Sequence, residues 1–297
     1  MKSFRVFILF VIGIAMVFPT AILAASAPVK PKQPVRVDLV EVESSVNARA
    51  YVVIDRTTGK ILTEKNENLV WPIASTTKLM TAQIVLAKKI SPKKTFGVLK
   101  EDDVGGAKLY IKNGDKFTID DLFYAMLIGS ANNAANALAR ASGLSRAQFV
   151  DAMNAKAKAL GLTSTNYVDP SGIDPANVST PLELSRIANL AFENTSIKKY
   201  ASQPVRNIRV VNTGEVKKIK STNWMLTKPA YKNGIVVAGK TGYLEESAWN
   251  FVTAIRPNDN DPKKELLLVI FGANSRAQSF ADAKALSNWA WSAYEWK

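Results

Sequence analysis

The periodicity of apolar and polar residues changes along the chain and outlines the elements that the sequence predicts. β-branched residues fill Ala50–Asp55, a Thr58-Gly59 turn signal follows, and Lys60–Lys65 resumes the pattern. These features predict a hairpin over residues 49–65. From Ser75 to Lys88, apolar residues cover most of a helical circumference, which predicts a buried helix.

Capping signals divide the middle of the chain into short helices. Thr118 is predicted to cap a helix over Ile119–Ile128, and Ser145 to cap another over Arg146–Leu160. The other predicted helices are Ala134–Ala141 and one that begins within Ser179–Glu183.

The last third of the chain changes to short β-rich runs and then to a helix. The runs are Ile235–Ala238, Phe251–Ile255 and Leu266–Phe271, and the final helix is predicted over about Ala277–Trp296. Because strands flank a helical middle, the sequence predicts an α/β fold in which distant segments complete one mostly antiparallel sheet and helices cover it. The aromatic residues of the final helix are predicted to pack on this sheet rather than at a membrane interface.

Residues 1–27 have the pattern of a secretory signal. Lys2 and Arg5 precede an apolar run, and small residues follow at Ala24–Ala27. We expect cleavage here, and the alternative is an uncleaved anchor, since the apolar stretch approaches the ~20 residues that span a bilayer. Residues 28–43 are predicted to form a linker and residues 44–297 one folded domain. Export would place the protein in the periplasm or on the outer face of the cytoplasmic membrane, which it would contact only through this segment.

The composition excludes several kinds of chemistry. The 297 residues include neither Cys nor His, so disulfides, thiolate nucleophiles, Cys or His zinc sites and Ser-His-Asp triads are excluded. We expect no metal or organic cofactor, and proton transfer in an enzyme of this composition falls to Lys, Tyr, Asp or Glu. The net charge of +14 favours anionic partners. Nucleic acid is not expected, because no recognised motif is present and export argues against it.

Ser75 and Lys78 are the first candidates for catalysis. Residues three apart share a helix face, so the Lys78 ammonium is expected near the Ser75 hydroxyl. The lysine can act as a base only if burial and a second cation lower its pKa. The same spacing recurs at Ser91-Pro-Lys-Lys94 and Ser196-Ile-Lys-Lys199, so the pair alone is weak evidence and favours a capping serine and a surface lysine.

Two further motifs occur where a ligand could bind. Ser130-Ala-Asn132 lies in a tight link between two apolar helices, although Ser-x-Asn also occurs elsewhere. Lys240-Thr-Gly242 occurs once and ends the run that starts at Ile235. Such a strand end can hold an anionic group while its glycine lets a ligand backbone approach. The simpler alternatives are a helix cap at Ser130 and a solvated charge at Lys240.

In this order the three motifs resemble those of the penicillin-recognising active-site serine enzymes. Longer segments are similar to the D-alanyl-D-alanine carboxypeptidases and endopeptidases of bacterial peptidoglycan, the S11 peptidase family: Pro72–Thr81, Asp169–Ile173 with Ser179-Thr180, and Gly239–Tyr243. The resemblance covers about residues 48–294. It implies a β-lactamase/DD-peptidase fold with a helical subregion, and it makes residues 44–297 a serine DD-peptidase catalytic domain.

The resemblance also implies a role for each motif residue. Ser75 would attack the carbonyl between two D-alanines, Lys78 would take its proton, and Ser130 would relay a proton to the leaving amine. Lys240 would be the second cation. The substrate-binding residues implied are Asn132 for the peptide backbone, Lys240 and Thr241 for the terminal carboxylate, Gly242, and Tyr243, whose N–H would form the oxyanion hole with that of Ser75.

The implied substrates are peptidoglycan stem peptides, with β-lactams as covalent inhibitors. The leading predicted activity is that of a carboxypeptidase, and the first alternative is an endopeptidase that cleaves D-Ala cross-links with the same residues. An alternative of another class is a catalytically silent wall-binding or penicillin-binding protein. A β-lactamase with a deacylating glutamate fits less well, because Pro181–Leu184 offers no obvious counterpart of its motif.

The sequence departs from the family pattern beside two of the motifs. Asn133 follows Ser-x-Asn where aspartate is common, and Leu244–Trp249 follows Lys-Thr-Gly-Tyr where the family has Thr and then Ala-Gly. Both changes bear on substrate preference more than on the chemistry. No C-terminal β-domain or amphipathic anchor follows Lys297, which resembles the soluble endopeptidase branch.

Overall fold

The computed structural model describes residues 31–39, 41–42 and 45–297. The predicted export segment and part of the predicted linker lie outside the described residues. Within the described residues, no helix is both long and apolar enough to cross a membrane.

The strands and helices follow one another along most of the chain. The strands are Val35–Arg36 (β1), Ala50–Asp55 (β2), Ile61–Lys65 (β3), Trp71–Pro72 (β4), Thr95–Gly97 (β5), Lys116–Thr118 (β6), Val178–Ser179 (β7), Val205–Arg209 (β8), Val216–Lys220 (β9), Ile235–Leu244 (β10), Ala248–Arg256 (β11), Leu266–Ala273 (β12) and Tyr294–Glu295 (β13). The helices are Lys78–Ala87 (α1), Ile119–Leu127 (α2), Asn132–Ala141 (α3), Arg146–Ala159 (α4), Pro181–Glu193 (α5), Thr195–Ala201 (α6), Trp224–Thr227 (α7) and Arg276–Ala293 (α8).

The central sheet is antiparallel and joins the two ends of the chain. Its strand order is β10-β11-β12-β2-β3, so the predicted hairpin over residues 49–65 lies at one edge and β10 at the other. Strand β12 is buried along its whole length because helices cover both faces of the sheet. The predicted fold class is confirmed.

Two apolar clusters occupy the two faces of the sheet. On one face α8 packs with Phe280, Leu286 and Trp289 against the sheet, so the prediction that its aromatic residues belong to the core is confirmed. The other face packs against the helical region, which contains α1 to α6. The predicted caps at Thr118 and Ser145 are confirmed, since each side chain accepts a hydrogen bond from a backbone N–H in the first helical turn.

The structure corrects three boundaries. Strand β10 does not end before the Lys-Thr-Gly motif but continues through it to Leu244, because β11 pairs with it along the whole motif. The final helix ends at Ala293 rather than Trp296, because Tyr294 and Glu295 pair with Arg36 and Val35. The same pairing places Val35 and Arg36, two residues of the predicted linker, in a strand.

Candidate active site

Ser75 lies on a 3-10 turn, Ala74–Thr77, that continues directly into α1. Lys78 is the first residue of α1, and its Nζ lies 2.8 Å from Ser75 Oγ. The predicted proximity of the two side chains is therefore present in the structure. Ala74 has a φ of +48°, a left-handed conformation that costs a non-glycine residue about 1–2 kcal/mol. Strain of this kind persists where the surrounding structure holds it, and Ala74 immediately precedes Ser75 in the turn.

Lys78 is completely buried, and its ammonium has three acceptors. Besides Ser75 Oγ, Nζ donates to Asn132 Oδ1 at 2.7 Å and to the carbonyl of Ser171 at 2.5 Å. Burial lowers the pKa of Lys78 to about 7, and the negative charge of Asp169 partly opposes this shift. A lysine with this pKa is neutral in a large fraction of molecules at neutral pH and can accept the proton of Ser75.

The loop around Asp169 holds the Ser171 carbonyl against Lys78. The Asp169 carboxylate accepts hydrogen bonds from the N–H and hydroxyl of Ser171, both at 2.6 Å, and from the N–H of Gly172 at 2.8 Å. Burial alone would raise the pKa of Asp169, but these hydrogen bonds lower it below its usual value. Gly172 has a φ of +76°, and a Cβ there would lie 2.0 Å from the Ala74 carbonyl oxygen. Glycine therefore allows this loop to touch the turn that carries Ser75.

Ser130 and Lys240 form a second buried pair across the site. Ser130 lies between α2 and α3 with a φ of +62°, and Lys240 lies on β10. Lys240 Nζ donates to Ser130 Oγ and to the Thr241 carbonyl, both at 2.8 Å. Burial, then the charges of Lys78 and Arg276, lower the pKa of Lys240 well below its usual value. The sequence predicted that burial and a second cation, Lys240, lower the pKa of Lys78, and burial is the main cause of the shift for both lysines.

Strand β10 forms one wall of a cleft of about 240 Å³ that opens above Ser75. Gly242 lies against the serine turn, and a Cβ at this position would be 3.3 Å from the Ser75 nitrogen. The strand can therefore approach the Ser75 N–H closely, as the implied oxyanion hole with Tyr243 requires. The Thr241 hydroxyl faces the cleft and lies 2.6 Å from the hydroxyl of Thr222.

Arg276 is a cleft residue that the sequence analysis missed. It is the first residue of α8, and its Nη2 donates to the Thr222 carbonyl at 2.7 Å. Its buried Nε has no hydrogen-bond partner among the described residues, and Arg276 is one of the residues that line the cleft. Lys240 is 1% exposed and directed at Ser130, which leaves Arg276 as the cation that faces the cleft. Nothing in the local sequence marks Arg276, because only the packing of α8 beside β11 brings it here.

Leu244 and Trp249, from one of the two departures from the family pattern, line the cleft, whereas Asn133 does not. Tyr243, which is 48% exposed, stacks on Trp249 with their ring centroids 4.3 Å apart at the mouth of the cleft. Asn132, on the first turn of α3, donates to the Gly105 carbonyl at 2.8 Å while it accepts from Lys78. Asn133 accepts from the Leu109 N–H at 2.9 Å and donates to the Leu109 carbonyl at 2.8 Å. Aspartate at 133 would be unable to make the second bond.

Comparisons with known proteins agree with this geometry. The chain matches the family described as D-alanyl-D-alanine carboxypeptidase over residues 37–275. It is 35% identical over 208 residues to the D-alanyl-D-alanine endopeptidase of Haemophilus influenzae, a match that covers 69% of each chain. The D-alanyl-D-alanine endopeptidase of Pseudomonas aeruginosa is 29% identical over 269 residues, which cover 90% of this chain and 82% of that one. The solved structure of the Streptomyces K15 DD-transpeptidase superposes with a TM-score of 0.76 at 26% identity, covering 85% of this chain and 100% of that one.

The fold and the site define a serine hydrolase of the penicillin-binding type, with a buried lysine beside the serine and a second Ser-Lys pair opposite. This chain belongs to the D-alanyl-D-alanine carboxypeptidase family, the S11 peptidases. The family acts on D-Ala-D-Ala peptides of peptidoglycan and is penicillin-binding.

Proposed function

We propose that this enzyme trims peptidoglycan stem peptides as a carboxypeptidase, through an acyl-enzyme on Ser75. The observation that carries this proposal is the pair of directed contacts at the cleft floor, Lys78 to Ser75 and Lys240 to Ser130, both at 2.8 Å. Together they supply a base for the nucleophile and a second proton path on the opposite side of the scissile bond.

The chemistry follows from these positions. Neutral Lys78 takes the hydroxyl proton as Ser75 Oγ bonds to the carbonyl carbon, and the backbone N–H groups of Ser75 and Tyr243 stabilise the oxyanion. The C–N bond then breaks as the Ser130 hydroxyl gives a proton to the leaving amine, and Ser130 recovers a proton from Lys240. The proton that Lys78 took from Ser75 replaces the one that Lys240 gave. Water hydrolyses the ester on Ser75, which returns the free hydroxyl and releases the shortened stem.

The carboxylate of the substrate is assigned to Arg276 with the Thr241 hydroxyl. Arg276 is the cation among the residues that line the cleft, and a guanidinium group is a strong hydrogen-bond donor to a carboxylate. This assignment supports an exopeptidase, because the carboxylate marks the end of the chain.

Cleavage of D-Ala cross-links is a second candidate function. It is supported by the names of the two relatives, both endopeptidases, and by the aromatic pair of exposed Tyr243 and half-buried Trp249 at the mouth of the cleft. We further propose that the protein is exported, as the pattern of residues 1–27 indicates.

The direct test is D-alanine release from a monomeric pentapeptide muropeptide, with Ser75→Ala as the blank. Release that disappears in the variant supports a carboxypeptidase with Ser75 as nucleophile. No release, together with cleavage of a cross-linked muropeptide dimer, would assign the enzyme to the endopeptidases. If neither substrate reacts while wall fragments still bind, the chain is a binding protein.

A further inference from the structure

A second groove of about 320 Å³ lies directly beside Ser130. Its floor includes Gly129 and Ala131, the two chain neighbours of Ser130. One wall carries Tyr110, which is 79% exposed, and the other wall is formed by Lys217–Lys220 on β9. The function described above uses none of these wall residues.

The hairpin of β8 and β9 is fixed against the floor of the groove. A Cβ on Gly129 would lie 2.8 Å from Ile219 Cγ2, so the hairpin approaches this close because residue 129 has no side chain. This hairpin was not predicted from the sequence, because its mostly exposed, basic strands carry little apolar pattern. The wall is therefore a fixed part of the groove rather than a loose surface loop.

The opposite wall is fixed by the residue that departs from the family pattern. Asn133 holds the backbone of Leu109 through both its N–H and its carbonyl, and Leu109 lies between the groove residues Lys108 and Tyr110. The departure at Asn133 thus sets the position of the exposed tyrosine.

The groove is positively charged. Lys108 pairs with Asp103 and Lys217 pairs with Glu215, but no acidic side chain in the described part of the chain pairs with Lys218 or Lys220. Two lysines without an acidic partner and an exposed tyrosine thus line the same groove, and this combination favours a peptide that carries carboxylates.

We propose that this groove binds the leaving stem of a cross-linked substrate through the carboxylates of that stem. This inference rests on the proposed function, in which Ser130 protonates the leaving amine. The groove begins at the two chain neighbours of Ser130, so a leaving group longer than one residue that departs past Ser130 can extend into it. Free D-alanine is too short to reach the lysines, whereas a leaving stem peptide extends along them. Lys218 and Lys220 are therefore specificity-determining residues that act on cross-linked substrates alone.

The test compares two substrates on matched lysine variants of the full-length chain. The groove variant is Lys218→Gln with Lys220→Gln, and the control variant is Lys93→Gln with Lys94→Gln, two exposed lysines elsewhere that lose the same charge. We expect kcat/KM for a cross-linked muropeptide dimer to fall about tenfold in the groove variant, through a higher KM. This difference from the wild type and from the control variant is expected to shrink in high salt, because salt screens the charges that the groove variant lacks. D-alanine release from the monomeric pentapeptide and acylation by fluorescent penicillin are expected to stay unchanged in both variants.

Four outcomes would overturn the assignment. They are an unchanged rate on the dimer, an equal loss on dimer and monomer, an equal loss in the control variant, and a wild type that releases D-alanine but leaves the dimer intact. In all four the proposed peptidase activity survives. A wild-type enzyme that is acylated by penicillin yet cleaves neither substrate would instead refute the proposed function, and the groove assignment would fall with it.

Discussion

The pKa of Lys78 predicts how acylation depends on pH. In the proposed mechanism Lys78 accepts the Ser75 proton only when it is neutral, and burial lowers the pKa of Lys78 to about 7. Below pH 7 the neutral fraction falls about tenfold per pH unit, so it is about 1% at pH 5 and about 90% at pH 8. The second-order rate of acylation is therefore expected to drop roughly 100-fold between these two values, with a midpoint near pH 7.

The assay is the time course of labelling by a fluorescent penicillin at several concentrations, from pH 5 to pH 9. Circular dichroism at each pH separates loss of the base from loss of the fold. Lys78→Arg is the informative variant, because arginine keeps the positive charge but does not lose its proton in this range. We expect the variant to be slow at every pH, and Ser75→Ala to show no labelling.

A flat rate between pH 5 and pH 9 in folded protein would remove Lys78 from the role of base. A pH dependence with the opposite sign, faster in acid, would refute the assignment equally well. A profile that Lys78→Arg reproduces with the same midpoint would assign the titration to another group.

Three further predictions concern single residues. Gly172→Ala would place a Cβ 2.0 Å from the Ala74 carbonyl oxygen, so we expect the free energy of unfolding, measured by thermal denaturation, to fall by ~1–3 kcal/mol and acylation to be slower. The control Gly59→Ala, at a similar φ but with open space around the new Cβ, should leave acylation unchanged. Asn133→Asp removes a buried donor, and its urea midpoint should fall by an amount equivalent to ~1–3 kcal/mol, so an unchanged midpoint would contradict the role of its amide. Arg276→Gln should raise KM for D-alanine release about tenfold or more with little effect on the thermal midpoint, and an unchanged KM would place the carboxylate elsewhere.

The parts of the fold that the sequence predicted are those with a local cause. Thr118 and Ser145 cap helices because their side chains reach N–H groups within the same turn, and the hairpin over residues 49–65 has its own turn signal. The pairing of β2 with β12 has no such local signal, since the two strands come from opposite ends of the chain. The same holds for β1 and β13, whose pairing ended the last helix earlier than its periodicity indicated.

The site shows the same division. Ser75 and Lys78 could be placed together because one helical turn fixes their separation. Arg276 could not be placed, because its position depends on how α8 packs beside the sheet. The hairpin of β8 and β9 was not predicted because the charged residues to which we assign a function are exposed, and exposed charged residues leave no periodic apolar pattern in the sequence.

A chain without histidine needs the whole fold to make a base. The Ser-x-x-Lys spacing occurs three times, yet Lys94 is exposed, the Lys199 side chain is 60% exposed, and Lys78 is fully buried. The burial comes from Asn132 and the Asp169 loop, which are distant in sequence.

The burial of Lys78 has an energetic cost: at pH 7 a lysine pKa of about 7 destabilises the folded state by about 4 kcal/mol relative to an unperturbed lysine. Because the folded pKa is the lower one, this cost is largest below pH 7 and disappears as pH rises toward the unfolded value. The contacts around Ser75 must therefore offset the penalty that the proposed role of Lys78 as a base requires, and those contacts come from three separate segments that converge on Lys78.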